Sequence, residues 1–227
     1  MKDNLERINQ RVVAAAAACG RDPQSVRLVA VTKTVELHRV AEAIACGVRI
    51  LGENYIQEAR EKFNALADQP VAWHFIGHLQ SNKAKYAVRL FDLIHTVDSF
   101  KLARELDKEA KKRAKVQEIL IQVNLSGEAS KSGVEAAETA QLARQISALD
   151  NLRLRGLMTM PPFFDEPERA RPFFRRLAQL GEQIADGGTP GLAMPELSMG
   201  MTGDFEVAIQ EGATLVRIGS ALFGARP

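Results

Sequence analysis

The stretch RLVAVTK, residues 27 to 33, decides how this chain reads. From Arg27 to Thr32 it is short, apolar and rich in β-branched residues without polar alternation, the pattern of a strand covered on both faces. It stops at a lysine. Upstream, Leu5, Ile8, Val12 and Ala15 recur at helical spacing from Asn4 to Cys19, and Gly20 supplies a stop. Downstream, Glu36 to Cys46 reads as a second helix closed by Gly47.

The alternation continues to the C-terminus. Further strands are expected at Val48–Leu51, Trp73–Ile76, Leu93–Val97, Ile119–Asn124, Leu154–Met158, Glu196–Ser198 and Leu215–Ile218, with helical segments between them. Eight strands in β-then-α order predict an α/β chain closed into a (β/α)8 TIM-type barrel. An open doubly wound sheet also alternates, but no G-x-G-x-x-G follows the first strand, which ends in Thr32-Lys33-Thr34. The most breaker-rich stretch, Asp186 to Gly191, is short enough to be a helix-to-strand loop, so residues 1–227 are expected to form a single domain.

Composition narrows the function classes. The 30 basic and 28 acidic residues leave a formal net charge of +2 and are interspersed, so nucleic acid is not an expected partner. Cys19 and Cys46 fall in expected helices without ligand-like or disulfide-like spacing and read as buried free thiols of a reducing compartment. The N-terminal segment lacks a basic start and a Leu-rich run, and its Ala-rich stretch is too short to span a bilayer. A cytoplasmic protein with no membrane contact is expected.

In a barrel of this type chemistry collects where strands end. Lys33 follows a strand expected to be buried, and desolvation turns a lysine into an amine nucleophile able to form a Schiff base. A solvated loop lysine is the alternative. At the other end of the chain, strand eight breaks into Gly219-Ser220 after Arg217. Strand seven ends in Ser198-Met199-Gly200 and runs on to Asp204. Small residues, hydroxyls and backbone N–H groups in these two loops suit a phosphate, although each alone is ordinary turn chemistry. A lysine facing a phosphate cup matches the two ends of pyridoxal 5′-phosphate (PLP), an aldehyde and a phosphate.

Strand alternation puts Arg217 on the inward face with Leu215, where it would meet either the pyridine nitrogen of PLP or a structural carboxylate. Asn54, after strand two, reads as a partner for the phenolic oxygen of the cofactor or as a helix cap. Met158 and Met160 read as packing beneath a planar ring or as core filling. His74 and His78 read as packed residues rather than a metal pair. Lys131 reads as an anion contact or a solvated loop residue.

These stretches resemble the pyridoxal phosphate homeostasis proteins, which look like the N-terminal barrel domain of alanine racemase without its second domain. The matching segments are LVAVTKTV, GVRILGENYIQEA, WHFIGHLQSNK, VNLSGEASKSG, GLMTM, ELSMGMTGDFEVAI and VRIGSALFGAR, in order over nearly the whole chain. The resemblance implies a PLP Schiff base on Lys33 and phosphate contacts from Ser198, Gly219 and Ser220. It also places Arg217 near the ring nitrogen. Asn54, Met160 and Gly200 complete the expected cofactor-binding set. Thr32 stands where the family pattern usually has Ser, which keeps the hydroxyl.

The family is associated with balancing PLP and other B6 vitamers, without a firm catalytic reaction. Three functions follow: a PLP carrier in vitamin B6 homeostasis with little or no turnover, a racemase-like enzyme, or an interaction protein that signals PLP occupancy. Racemisation needs a base on each face of the substrate carbanion. Lys33 serves one, and the only tyrosines, Tyr55 and Tyr86, fall in expected helical segments. An arginine at the ring nitrogen also makes a weak electron sink. The carrier is therefore ranked first, with PLP-dependent apo-enzymes as partners and a monomer or weak dimer as the expected state.

Overall fold

A computed structural model describes residues 1–128, 132–187 and 193–224. The strands are β1 (Arg27–Val31), β2 (Ile50–Glu53), β3 (Ala72–Phe75), β4 (Leu93–Val97), β5 (Gln117–Asn124), β6 (Val134–Glu135), β7 (Leu152–Met158), β8 (Glu196–Met201) and β9 (Leu215–Ile218). Between them run helices α1 (Lys2–Ala18), α2 (Leu37–Ala45), α3 (Ile56–Ala65), α4 (Ala84–Leu90), α5 (Phe100–Lys111), α6 (Ala136–Ser147), α7 (Arg171–Asp186), α8 (Phe205–Gln210) and α9 (Ser220–Phe223).

Eight strands pair in parallel, in the order β4-β3-β2-β1-β9-β8-β7-β5, and pairing of β4 with β5 closes the ring. The expected TIM-type barrel is the observed fold. The extra strand, β6, is two residues long and pairs with β5 through Val123–Val134 and Asn124–Glu135. Its brevity hides it from a periodicity reading. β2 begins two residues later than expected, at Ile50, and β8 runs on to Met201.

Two apolar layers build the barrel. Outside the sheet, the buried faces of the helices pack on the strands as one continuous core. Inside, Val29, Ile50, Leu93, Leu120, Met158 and Leu215 form a separate plug, one residue from each of six strands. Met158 is thus core filling and not part of a binding surface. Above this plug the inward positions turn polar, and that change creates the site.

Cys19 departs from expectation: it is exposed just beyond α1, where its Sγ donates to the Ala15 carbonyl at 3.4 Å. Cys46 caps α2 and is half-buried. Both helices end one residue earlier than the sequence reading placed them.

Candidate functional site

The C-terminal ends of β1, β2, β8 and β9 and the segment after β7 surround a cavity of about 500 Å3. Lys33, Asn54, Met160, Arg217, Gly219 and Ser220 all line it, joined by Thr202, Gly203, Asp204 and the apolar segment 162–164. Six of the eight expected cofactor-binding residues therefore meet in one place, contributed by the ends of three strands, β1, β2 and β9, and by the segment after β7.

Lys33 lies in a turn immediately past β1 and is half-buried. Asn54 follows β2, and its Oδ1 is buried without a hydrogen-bond partner. That position depends on Gly77: a Cβ there would lie 2.1 Å from the Asn54 carbonyl oxygen, so only glycine lets the β3 loop pass. The Gly77 carbonyl in turn accepts from Thr96 Oγ1 at 2.6 Å. Gly219 caps the short helix α9, which opens with Ser220. N–H groups in the first turn of a helix have no partner within it.

Ser198 and Gly200 do not line the cavity. The Ser198 side chain is wholly buried below it, and its Oγ accepts from an Arg217 guanidinium N–H at 2.6 Å. Gly200, at φ 87°, is a packing residue: a Cβ would stand 2.6 Å from the Ala208 Cβ on α8. Loop composition suggested both for the cofactor site, but both lie inside β8, whose register shifts between Ser198 and Met201, so Ser198 turns to Arg217 while Gly200 packs on α8. Lys131 lies outside the described residues.

Beneath the cavity a hydrogen-bonded row crosses the barrel. Arg217 donates from its other terminal nitrogen to the Thr159 carbonyl at 2.9 Å. The Ser198 hydroxyl lies 2.8 Å from His95 Nδ1, and His95 Nε2 lies 2.9 Å from His74 Nδ1. Arginine can only donate, so Ser198 Oγ accepts from it, which leaves the Ser198 proton available to His95 Nδ1. With that proton on the Nδ1 side of the ring, the matching His95 tautomer is the one protonated on Nε2, facing His74 Nδ1.

Burial keeps both imidazoles neutral. It lowers His74 to a pKa of about 3, with the Arg27 charge a smaller cause, and depresses His95 well below its ordinary value, assisted by His74 and Arg217. Burial also lowers Arg217, to about 10, against the opposing pull of Asp204. It remains a cation at neutral pH. Among the described residues no carboxylate forms an ion pair with Arg217, so the structural salt bridge weighed from sequence is replaced by two neutral acceptors. Burial raises the Asp204 pKa, and its carboxylate accepts from the Met201 N–H at 2.6 Å.

His95, Thr159 and Asp204 were not among the expected site residues. His95 left one readable signal: in LIHTV it sits two residues after the inward Leu93, a polar residue at an inward position of a short, mostly apolar strand. His74 is packed, as expected. No group of three or more metal-ligating side chains occurs among the described residues.

Residues 4–227 match the family described as alanine racemase, N-terminal domain, and the chain belongs to that family. Within it the relatives are more particular. The pyridoxal phosphate homeostasis protein of Aquifex aeolicus is 43% identical over 224 residues, covering 99% of this chain and 97% of that protein. The same-named protein of Pseudomonas aeruginosa is 45% identical over 224 residues, with 99% and 95% covered. The chain is thus a member of the pyridoxal phosphate homeostasis proteins.

Among solved structures, PipY of Synechococcus elongatus with PLP bound superposes at a TM-score of 0.85 and 37% identity, covering 96% of this chain and all 100% of that one. Alanine racemase of Clostridium difficile superposes at 0.71 with 16% identity over 99% of this chain and 57% of that one, a likeness of fold alone.

Proposed function

We propose that this chain is a PLP-binding protein of vitamin B6 homeostasis, working as a single barrel with little or no turnover. The observation that carries the proposal is the single cavity faced by both Lys33 and Arg217, with small residues at Gly203, Gly219 and Ser220. The donor set fits PLP. Lys33 would hold the aldehyde carbon as a Schiff base, one water leaving as the C=N bond forms. Ser220 and the N–H groups around Gly219 would take the phosphate, with room at Gly203, where an added Cβ would meet nothing within 4 Å. Arg217 would face the ring nitrogen, and the partnerless Asn54 Oδ1 marks a polar group that a ligand would satisfy. Met160 would lie against the ring.

Ser198 takes a different part from the one its loop suggested: it aims Arg217. PLP supplies an electron sink when bound, and a guanidinium at the ring nitrogen weakens it by disfavouring protonation there. Lys33, Asp204 and Arg217 are the ionisable side chains lining the cavity, and the Asp204 carboxylate is committed to the Met201 N–H. Tyr55 is exposed at the start of α3, outside this lining. One mobile amine therefore faces the ligand, which suits holding PLP rather than racemising an amino acid.

No helix among the described residues is long and apolar enough to cross a membrane. A cytoplasmic setting and delivery to PLP-dependent apo-enzymes complete the reading. Borohydride reduction of the PLP-loaded protein followed by peptide mapping should label Lys33, and Lys33→Ala should abolish the label. Label on another lysine of the wild type would refute the site. Racemisation of added amino acids above the rate of free PLP would refute the absence of turnover.

A further inference from the structure

The turn that carries Lys33 is gripped on both sides by three charged residues from β2 and α3. Thr32, just before Lys33, is wholly buried, and its hydroxyl donates to Glu53 Oε1 at 2.6 Å. Its carbonyl accepts twice, from the Val35 N–H at 3.0 Å and from Lys62 Nζ at 2.5 Å. Thr34, just after Lys33, donates its N–H to Glu58 Oε1 at 2.5 Å. Lys62 joins the halves, donating to Glu53 Oε1 at 2.8 Å and to Glu58 Oε1 at 2.6 Å. Its three ammonium protons thus meet three acceptors.

Two features set this cluster apart from an ordinary ion pair. Thr34 has φ 60°, the left-handed region, at the third position of a turn closed by the Thr32–Val35 hydrogen bond. A turn of that shape favours glycine or asparagine there, and a β-branched residue occupies the region only when its surroundings hold it. Glu58 provides the hold. Second, the side chains of Glu53 and Lys62 are 0% and 7% exposed, and a buried ion pair of this kind is poor value as a source of stability. Glu53 Oε2 is even left buried without a partner. Outside their own trio, the side-chain hydrogen bonds of Glu53, Glu58 and Lys62 go to Thr32 and Thr34, the two neighbours of Lys33.

We propose that Lys62, with Glu53 and Glu58, acts as a positioning brace that sets the backbone of the Lys33 turn and thereby the direction in which the Lys33 amine enters the cavity. The inference rests on Lys33 being the point of PLP attachment, and its test separates the two. In the ligand-free protein, acylation of Lys33 by N-hydroxysuccinimide acetate, followed by peptide mass spectrometry with Lys83 as internal reference, reads the turn without any cofactor. PLP titration followed by absorbance reads the consequence for binding.

Glu58→Ala and Lys62→Met should change the Lys33 acylation rate several-fold relative to Lys83 and weaken PLP binding roughly tenfold or more. Glycine accepts φ 60° without help, so Thr34→Gly in the Glu58→Ala background should recover much of the lost affinity, which a merely structural role of Glu58 would not allow. Wild-type Lys33 acylation and wild-type PLP affinity in folded Glu58→Ala would overturn the brace. If Lys62→Met fails to fold, Glu58→Ala and its rescue decide alone, since Glu58 lies partly in solvent. If PLP labels another lysine while Lys33 acylation still responds to Glu58→Ala, the brace stands and the attachment site falls.

Discussion

Acidification from pH 7 to pH 5 tests the neutral histidine row directly. The unfolded chain carries histidines with pKa near 6.5, whereas burial holds His74 at about 3 and His95 well below its ordinary value. A histidine depressed in the folded state gives stability that is present above pH 6.5. It is lost as pH falls toward the folded pKa, because only the unfolded chain takes up the proton. Between pH 7 and pH 5 each buried imidazole therefore costs about 2 kcal/mol, and the pair about 4 kcal/mol.

For a chain of this length 1 kcal/mol moves Tm by roughly 2–4 °C, so a fall of roughly 8–16 °C is expected in the ligand-free protein. Glu53 and Asp204, whose pKa values burial raises, work in the opposite direction, because the folded state protonates them first. Their offset belongs to the lower end of the range and is removed by comparison with a His74→Gln/His95→Gln variant, whose Tm should depend less on pH. Calorimetry at pH 7, 6 and 5 gives the slope, and imidazole nitrogen NMR gives the tautomers, with His95 protonated on Nε2. A wild-type Tm constant over this range, together with His74 and His95 resonances titrating near pH 6.5, would show that the row is not neutral as drawn.

Ser220→Ala should weaken PLP binding roughly ten- to a hundredfold, the loss of one hydrogen bond to an ionised phosphate, with the spectrum at saturation unchanged. Ser198→Ala should act elsewhere, costing about 1–3 kcal/mol of stability in thermal melts because a buried guanidinium N–H and His95 Nδ1 both lose their partner. Gly77→Ala pushes on the Asn54 backbone, so it should cost about 1–3 kcal/mol and loosen PLP binding together, read by melt and titration. Arg217→Gln keeps a donor for the Thr159 carbonyl while removing the charge. The absorbance of bound PLP should shift with pH in a way the wild type does not show, and an unchanged spectrum would mean that Arg217 does not meet the ring.

The barrel was legible because its strands are buried on both faces and its helices are not, so two hydrophobic periods alternate along the chain. The place of Lys33, Asn54, Met160, Gly219 and Ser220 around one cavity was legible for a related reason: each lies just past a strand, and strand ends converge in a barrel; Arg217 was legible from the inward face of β9. Ser198 and Gly200 fall outside the cavity lining because β8 runs three residues further than its apolar core, and loop composition says nothing about which way a strand residue faces. The brace was invisible because Glu53 looks like a charge at a strand end, and Glu58 and Lys62 like surface charges on a helix; only the close approach of α3 to the Lys33 turn buries Glu53 and Lys62. The same holds for His95, whose partners lie on two other strands, β3 and β8.

Electrostatics tie the site to its ligand more closely than any single contact. Two cations, Lys33 and Arg217, and one carboxylate, Asp204, line the cavity, and Arg217 is 3% exposed and hydrogen-bonded only to neutral oxygens. A buried charge hydrogen-bonded only to dipoles is expensive; the Asp204 charge offsets part of that cost, and the neutral imidazoles behind Ser198 can orient dipoles but cannot supply negative charge. A carboxylate at the end of the row would have neutralised Arg217 and freed its N–H groups from the cavity. The floor of the barrel is polar in order to keep one guanidinium aimed, with the apolar plug beneath it bearing the weight of the fold.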